Sequence, residues 1–134
     1  MRKYYLFTIK KEFKAVYYNN AKVLYQTMYN LYKLPYKDYK IGLSIYNQIC
    51  MPFNKKLLIN YFKNKFSLKN YKDKYCLINK DEKIFICFNY PCVIIYSNRN
   101  IPSVFKYLYL YNKNIFVVDF DNNDYFWLIK DTIR

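Results

Sequence analysis

A chain of 134 residues has room for one domain with a core of its own, and with 54% hydrophobic and 23% aromatic residues it lies far from the composition of disordered chains. Its formal charge of +14 comes from 23 Lys and Arg against 9 Asp and Glu, with no His and a single Gly. That inventory excludes a Gly-rich phosphate loop and any site built on imidazole, the commonest general base and metal ligand.

The chain opens on a strand. From Lys3 to Ile9 apolar side chains fill both alternating sets, Tyr5, Phe7 and Ile9 on one face and Tyr4, Leu6 and Thr8 on the other. At Lys10 the pattern breaks into a charged run, Lys10, Lys11 and Glu12, followed by Phe13, Tyr17 and Tyr18. A plain polar connection does not need those aromatics, so Phe13 and Tyr17 read as a contact surface. The alternative is that Phe13 tucks under the next helix as a hydrophobic staple.

Asn19 or Asn20 is placed to cap a helix over 21–34, with Ala21, Leu24, Met28 and Leu31 as its buried stripe and Pro35 as its stop. A second helix is predicted over 36–50, where Ile41, Ile45 and Ile49 recur every four residues before Pro52. Gly42 costs that helix about 1 kcal/mol against Ala, which implies close packing. Residues 54–66 keep helical spacing at Leu58, Phe62 and Phe66, with Lys55, Lys56, Lys63 and Lys65 around them. A third short helix is the expectation, and a bent edge strand the alternative.

Short β-branched and aromatic runs at 75–78, 83–88 and 92–96, separated by polar turns, predict an antiparallel meander. The run 84–88 is apolar on both faces and so belongs inside a sheet or under helices. Asn100 and Pro102 introduce a last helix with Val104, Phe105, Leu108 and Tyr111 inward. Strands over 114–120 and 125–129, joined by residues 121–124, close the chain. The order predicts an α+β fold: one layered domain over 1–134, a mainly antiparallel β-sheet with three to four helices packed on it.

Chemistry-bearing groups are sparse, and neither catalysis, a metal nor a cofactor is expected. The carboxylates fall in turns; Asp119, Asp121 and Asp124 together read as turn capping. Cys50, Cys76, Cys87 and Cys92 form no Cys-x-x-Cys pair, and no secretory signal precedes the first strand, so they read as free buried thiols of a monomeric cytoplasmic protein. A Cys87–Cys92 disulfide across the hairpin is the alternative. The longest apolar runs are far short of the ~20 residues of a membrane span.

The excess charge has two readings. Lys, Asn, Ile, Tyr and Phe have AT-rich codons, so codon drift accounts for the lysines; selected binding to a polyanion is the other account. Only three residues are Arg, the planar phosphate fork, which weakens the second account. Phe85, Tyr90, Tyr96, Tyr107, Tyr109 and Tyr111 all have Lys or Arg within a few residues, as base-stacking platforms do. They follow no ordered RNA-recognition motif and read as core and surface filler.

Two stretches carry a resemblance. A Tyr-rich strand running into Ile9-Lys10-Lys11-Glu12-Phe13 and then Tyr17-Tyr18 before a helix, together with the closing Phe116-Val117-Val118-Asp119-Phe120 and Tyr125-Phe126-Trp127-Leu128 strands, resembles the SirA family, sporulation inhibitors of replication from low-GC Gram-positive bacteria. The resemblance implies a small non-enzymatic inhibitor that docks on the N-terminal domain of the replication initiator DnaA and blocks initiation. It implies partner contacts by Glu12, Phe13 and Tyr17 in the segment after the first strand, and by Ser44 and Gln48 on the second predicted helix. The competing expectation is a small basic protein, of viral or mobile-element origin, that binds nucleic acid without regard to sequence.

Overall fold

In the computed structural model, which describes residues 1–133, the fold is organised around its first strand, β1 (Arg2–Ile9). Two helices follow it, α1 (Lys11–Tyr17) and α2 (Ala21–Tyr32); then come α3 (Tyr39–Ile49), a two-residue strand β2 (Cys50–Met51) and α4 (Lys55–Lys65). The second half runs β3 (Lys69–Tyr71), β4 (Lys74–Ile78), β5 (Lys83–Asn89), β6 (Cys92–Ser97), α5 (Val104–Tyr111), β7 (Ile115–Asp119) and β8 (Asp124–Trp127). This is a mixed α+β domain around one large antiparallel sheet.

The strand order is β3-β4-β5-β6-β1-β7-β8, with β2 pairing the far end of β1. The meander forms as its turns dictate, β4 to β5 to β6, all antiparallel. β1 then sits between two strands distant in sequence: Lys3 opposite Tyr96 on one side, Leu6 opposite Val117 on the other. β2 fills the edge beyond the end of β6, placing Met51 opposite Thr8. Helices pack on both faces of the sheet at β1, so both of its faces are apolar, and β1 is buried from Tyr4 to Ile9.

The two faces of β1 feed two cores. Tyr4 and Leu6 join Ile84, Ile86, Val93, Ile95 and Val117 beneath α4 and α5, which contribute Leu58, Phe62, Phe105 and Leu108. Tyr5, Phe7 and Ile9 join Ile94, Phe116, Val118 and Trp127 beneath α2 and α3, which contribute Leu24, Met28 and Ile49. Helices therefore cover both faces.

Several local expectations are revised. The segment after β1 is helical; its amide groups turn back on Lys10, whose carbonyl accepts from both Phe13 and Lys14. Asn20 precedes α2 without a capping side-chain bond, and its Nδ2 instead donates to the Val16 carbonyl at 3.3 Å. Ile41 is 61% exposed rather than inward, and in the first turn of α3 it is the neighbouring Gly42 that is buried. Residues 55–65 are helical, not an edge strand, and Asn54 Oδ1 caps them by accepting from Leu57 N–H at 3.0 Å. The strands β2 and β3 had no sequence signal, being two and three residues long with exposed or alternating side chains.

With one Gly in the chain, left-handed turns fall to other residues: Lys72 between β3 and β4 at φ 57° and Asn123 between β7 and β8 at φ 51°. Asn tolerates that region through its short polar side chain. Among the described residues no helix is long and apolar enough to cross a membrane.

Candidate functional site

The residues expected at a partner interface lie on α1 and α3. Along α1, positions 13 and 17 are four apart and share the inward side. Phe13 and Tyr17 are accordingly half-buried against the core that contains Phe7, Phe116 and Trp127. They anchor the helix and do not stand free as expected, because a two-turn helix lying on a sheet edge must bury one stripe.

Apolar surface also reaches solvent along this segment. Val16 is 60% exposed, Tyr18 45%, and Val23 at the start of α2 51%. Glu12, also exposed, lies one turn before Val16. The Tyr18 ring lies 6.0 Å from that of Trp127, and Lys14 Nζ lies 5.8 Å from each. That ammonium also donates to the Lys113 carbonyl at 2.6 Å, and partial burial lowers its pKa from the ordinary value. The patch is thus held to the sheet by an aromatic and cationic contact. Nothing in the sequence distinguished Val16 from an ordinary core valine.

Ser44 and Gln48 are exposed on one side of α3. The carbonyl of Ile49 accepts from Lys10 N–H at 2.9 Å, which pins the end of α3 to the start of α1. Gln48 directly precedes that pin, and Ser44 lies one turn earlier in α3.

A second feature is a cleft of about 420 Å³ between the α2–α3 connection and the β5–β6 turn, walled by Tyr32, Tyr36, Tyr39, Tyr46 and Tyr90. Its lining carries no charged side chain. Tyr90 O–H donates to Asn47 Oδ1 at 2.6 Å and ties the turn to α3.

The two buried carboxylates are occupied structurally. Asp119, 1% exposed, accepts from Asn122 N–H at 3.2 Å and Asn122 Nδ2 at 2.7 Å, which is the turn capping its spacing implied. Glu82 is buried and accepts from Ser103 N–H at 2.8 Å and Ser103 Oγ at 2.5 Å, so it closes the start of α5 instead of serving its own turn. All four cysteines are free thiols. Burial pushes Cys50 and Cys92 up to about 12. Among the described residues no three His, Cys, Asp or Glu side chains gather as a metal-holding group. Compared with protein-family models and with curated proteins, the sequence matches none.

Proposed function

We propose that this chain is a non-enzymatic, monomeric cytoplasmic binding protein that docks on another protein through α1 and the start of α2. The partner in this reading is the N-terminal domain of the replication initiator DnaA, as the resemblance of the two terminal stretches to the SirA family implies, and the consequence of docking is restrained initiation of DNA replication. The observation that supports it is exposed apolar surface along α1 and the start of α2: Val16 is 60% exposed, Val23 51%, and Tyr18, seated on Trp127, still shows 45% of its surface.

Within this reading the roles divide by position. Val16 and Tyr18 supply contact area, Glu12 a charge at the rim, and Phe13 and Tyr17 the rigid base that holds the helix to the sheet. Gln48 and Ser44 extend the surface along α3. Truncating a central aromatic or aliphatic anchor commonly costs ~2 kcal/mol or more of affinity.

The test is a binding measurement against the N-terminal domain of the DnaA encoded in the same genome, with Val16→Asp and Tyr18→Ala beside the unaltered chain. Lost binding at a retained melting temperature supports the reading. Absence of any affinity in the unaltered chain ends it.

A further inference from the structure

One face of the sheet is left without a helix over strands β3 to β5 and the Tyr96 end of β6, and its composition is specific. Paired residues of an antiparallel sheet share a face, so the register defines a row straight across it: Lys3 beside Tyr96, Tyr96 beside Phe85, Phe85 beside Cys76, Cys76 beside Lys69. The flanking rows on the same face add Lys83 opposite Ile78 and Lys74 opposite Tyr71. Four lysines therefore frame two central rings.

Phe85 is half-buried yet packs into neither hydrophobic core, so its ring is on the surface for want of any covering element. Tyr96, next to it, has Lys3 Nζ 5.5 Å and Lys74 Nζ 5.1 Å from its centroid. Among the described residues every ion pair is made by Arg2 or Arg99, so none of these lysines is neutralised by a carboxylate at contact distance. Asp73 sits in the β3–β4 turn at the rim of this face.

We propose that this open face binds an unpaired polynucleotide strand, with bases stacked on Phe85 and Tyr96 and phosphates held by Lys3, Lys69, Lys74 and Lys83. The complementarity is twofold. Flat aromatic rings suit the faces of bases, and every base has such a face, so the site is indifferent to sequence. Lysine ammonium groups neutralise phosphates as point charges, which needs no bidentate fork. Four inter-strand steps separate Lys3 from Lys69, about 19 Å, enough for a strand of about four nucleotides. A duplex hides its bases inside its stack and meets only the lysines.

This inference is independent of the docking surface on α1. The probe is a fluorescently labelled oligothymidylate of about 12 nucleotides, titrated with the full chain by anisotropy at two salt concentrations. The expected result is saturable binding that exceeds binding to a duplex of equal length. Phe85→Leu and Tyr96→Leu, which keep apolar bulk but remove the ring, should each weaken it about tenfold. The double variant Lys3→Ala, Lys74→Ala should flatten the logarithmic salt dependence by about 1.4, two phosphates at about 0.7 each for a single strand. The double variant Lys63→Ala, Lys106→Ala on α4 and α5 should leave both affinity and salt slope unchanged. Equal loss in that control, equal affinity for duplex, displacement of the probe by polyglutamate as effectively as by oligothymidylate, or unchanged binding by both leucine variants at a retained fold would each overturn the proposal.

Discussion

Arg2 and Asp119, 117 residues apart in the chain, meet at the edge of β1: Arg2 Nε donates to Asp119 Oδ2 at 3.0 Å, and Nη2 lies 2.9 Å from the same oxygen. The same guanidinium reaches Asp124 Oδ2 at 3.0 Å, so one arginine ties the first strand to both sides of the last hairpin. Asp119 is buried and Asp124 exposed. The buried partner dominates the energetics.

Arg2→Ala strands that buried carboxylate, for which Asn122 alone provides donors. Loss of one member of a buried pair is strongly destabilising, and with Arg2 partly exposed the cost expected is about 2 kcal/mol or more. Thermal melting should fall by several degrees. An unchanged melting temperature would mean that Asn122 satisfies Asp119 by itself.

Gly42 is buried in α3, and a methyl group built on it meets only Leu34 Cδ1, at 3.0 Å. Leu34 is 36% exposed and its terminal methyl can rotate away. Gly42→Ala should therefore gain most of the ~1 kcal/mol helix-propensity difference and raise the melting temperature. A fall would show that the α2–α3 connection is held too rigidly for Leu34 to yield.

Cys50 and Cys92 ionise at about 9 when exposed and, through burial, at about 12 in the folded chain. Above pH ~9 the folded state thus binds more protons than the unfolded state, and stability falls as pH rises from about 9 towards 12. Tyr4 and Tyr5, also pushed up to about 12 by burial, act in the same direction from about 10 upward. Equilibrium denaturation in urea at pH 8 and pH 10 measures this. At neutral pH a thiol-labelling reagent should modify half-buried Cys87 well before Cys50 and Cys92, and reducing agent should leave the melting temperature unchanged.

Phe13 and Tyr17 carry α1 onto the core. Phe13→Ala should cost about 1–3 kcal/mol of stability, less than a fully buried Phe because part of the ring already meets water. Tyr18→Ala, which removes a 45% exposed ring and its contact with Trp127, should cost less, about 1 kcal/mol or below. Melting curves of the two variants separate anchor from surface; equal losses would remove that distinction.

The sequence by itself determined the elements whose periodicity is long or whose turns are short. The opening strand, the meander and the closing hairpin are visible in alternation and in Asn, Asp and Pro at the bends, because hairpin pairing is local and its register follows from the turn. The α+β class and the turn role of Asp119 follow from the same local rules. The helices at 21–34 and 54–66 are marked by apolar spacing, with ends set within a few residues.

Tertiary structure alone decided what each face meets. That β1 lies between β6 and β7 with helices over both of its faces is a non-local arrangement, and it explains why both faces are apolar, why Arg2 reaches Asp119, and where β2 finds a partner. It turned Phe13 and Tyr17 inward and left Val16 and Tyr18 outside, since a helix of two turns carries too little periodicity to say which side the sheet will cover. It also left Phe85 uncovered, because α4 and α5 cover the opposite face of β4 and β5 while α2 and α3 stop short of the Phe85 face, a shortfall of covering area that no single segment of the chain records.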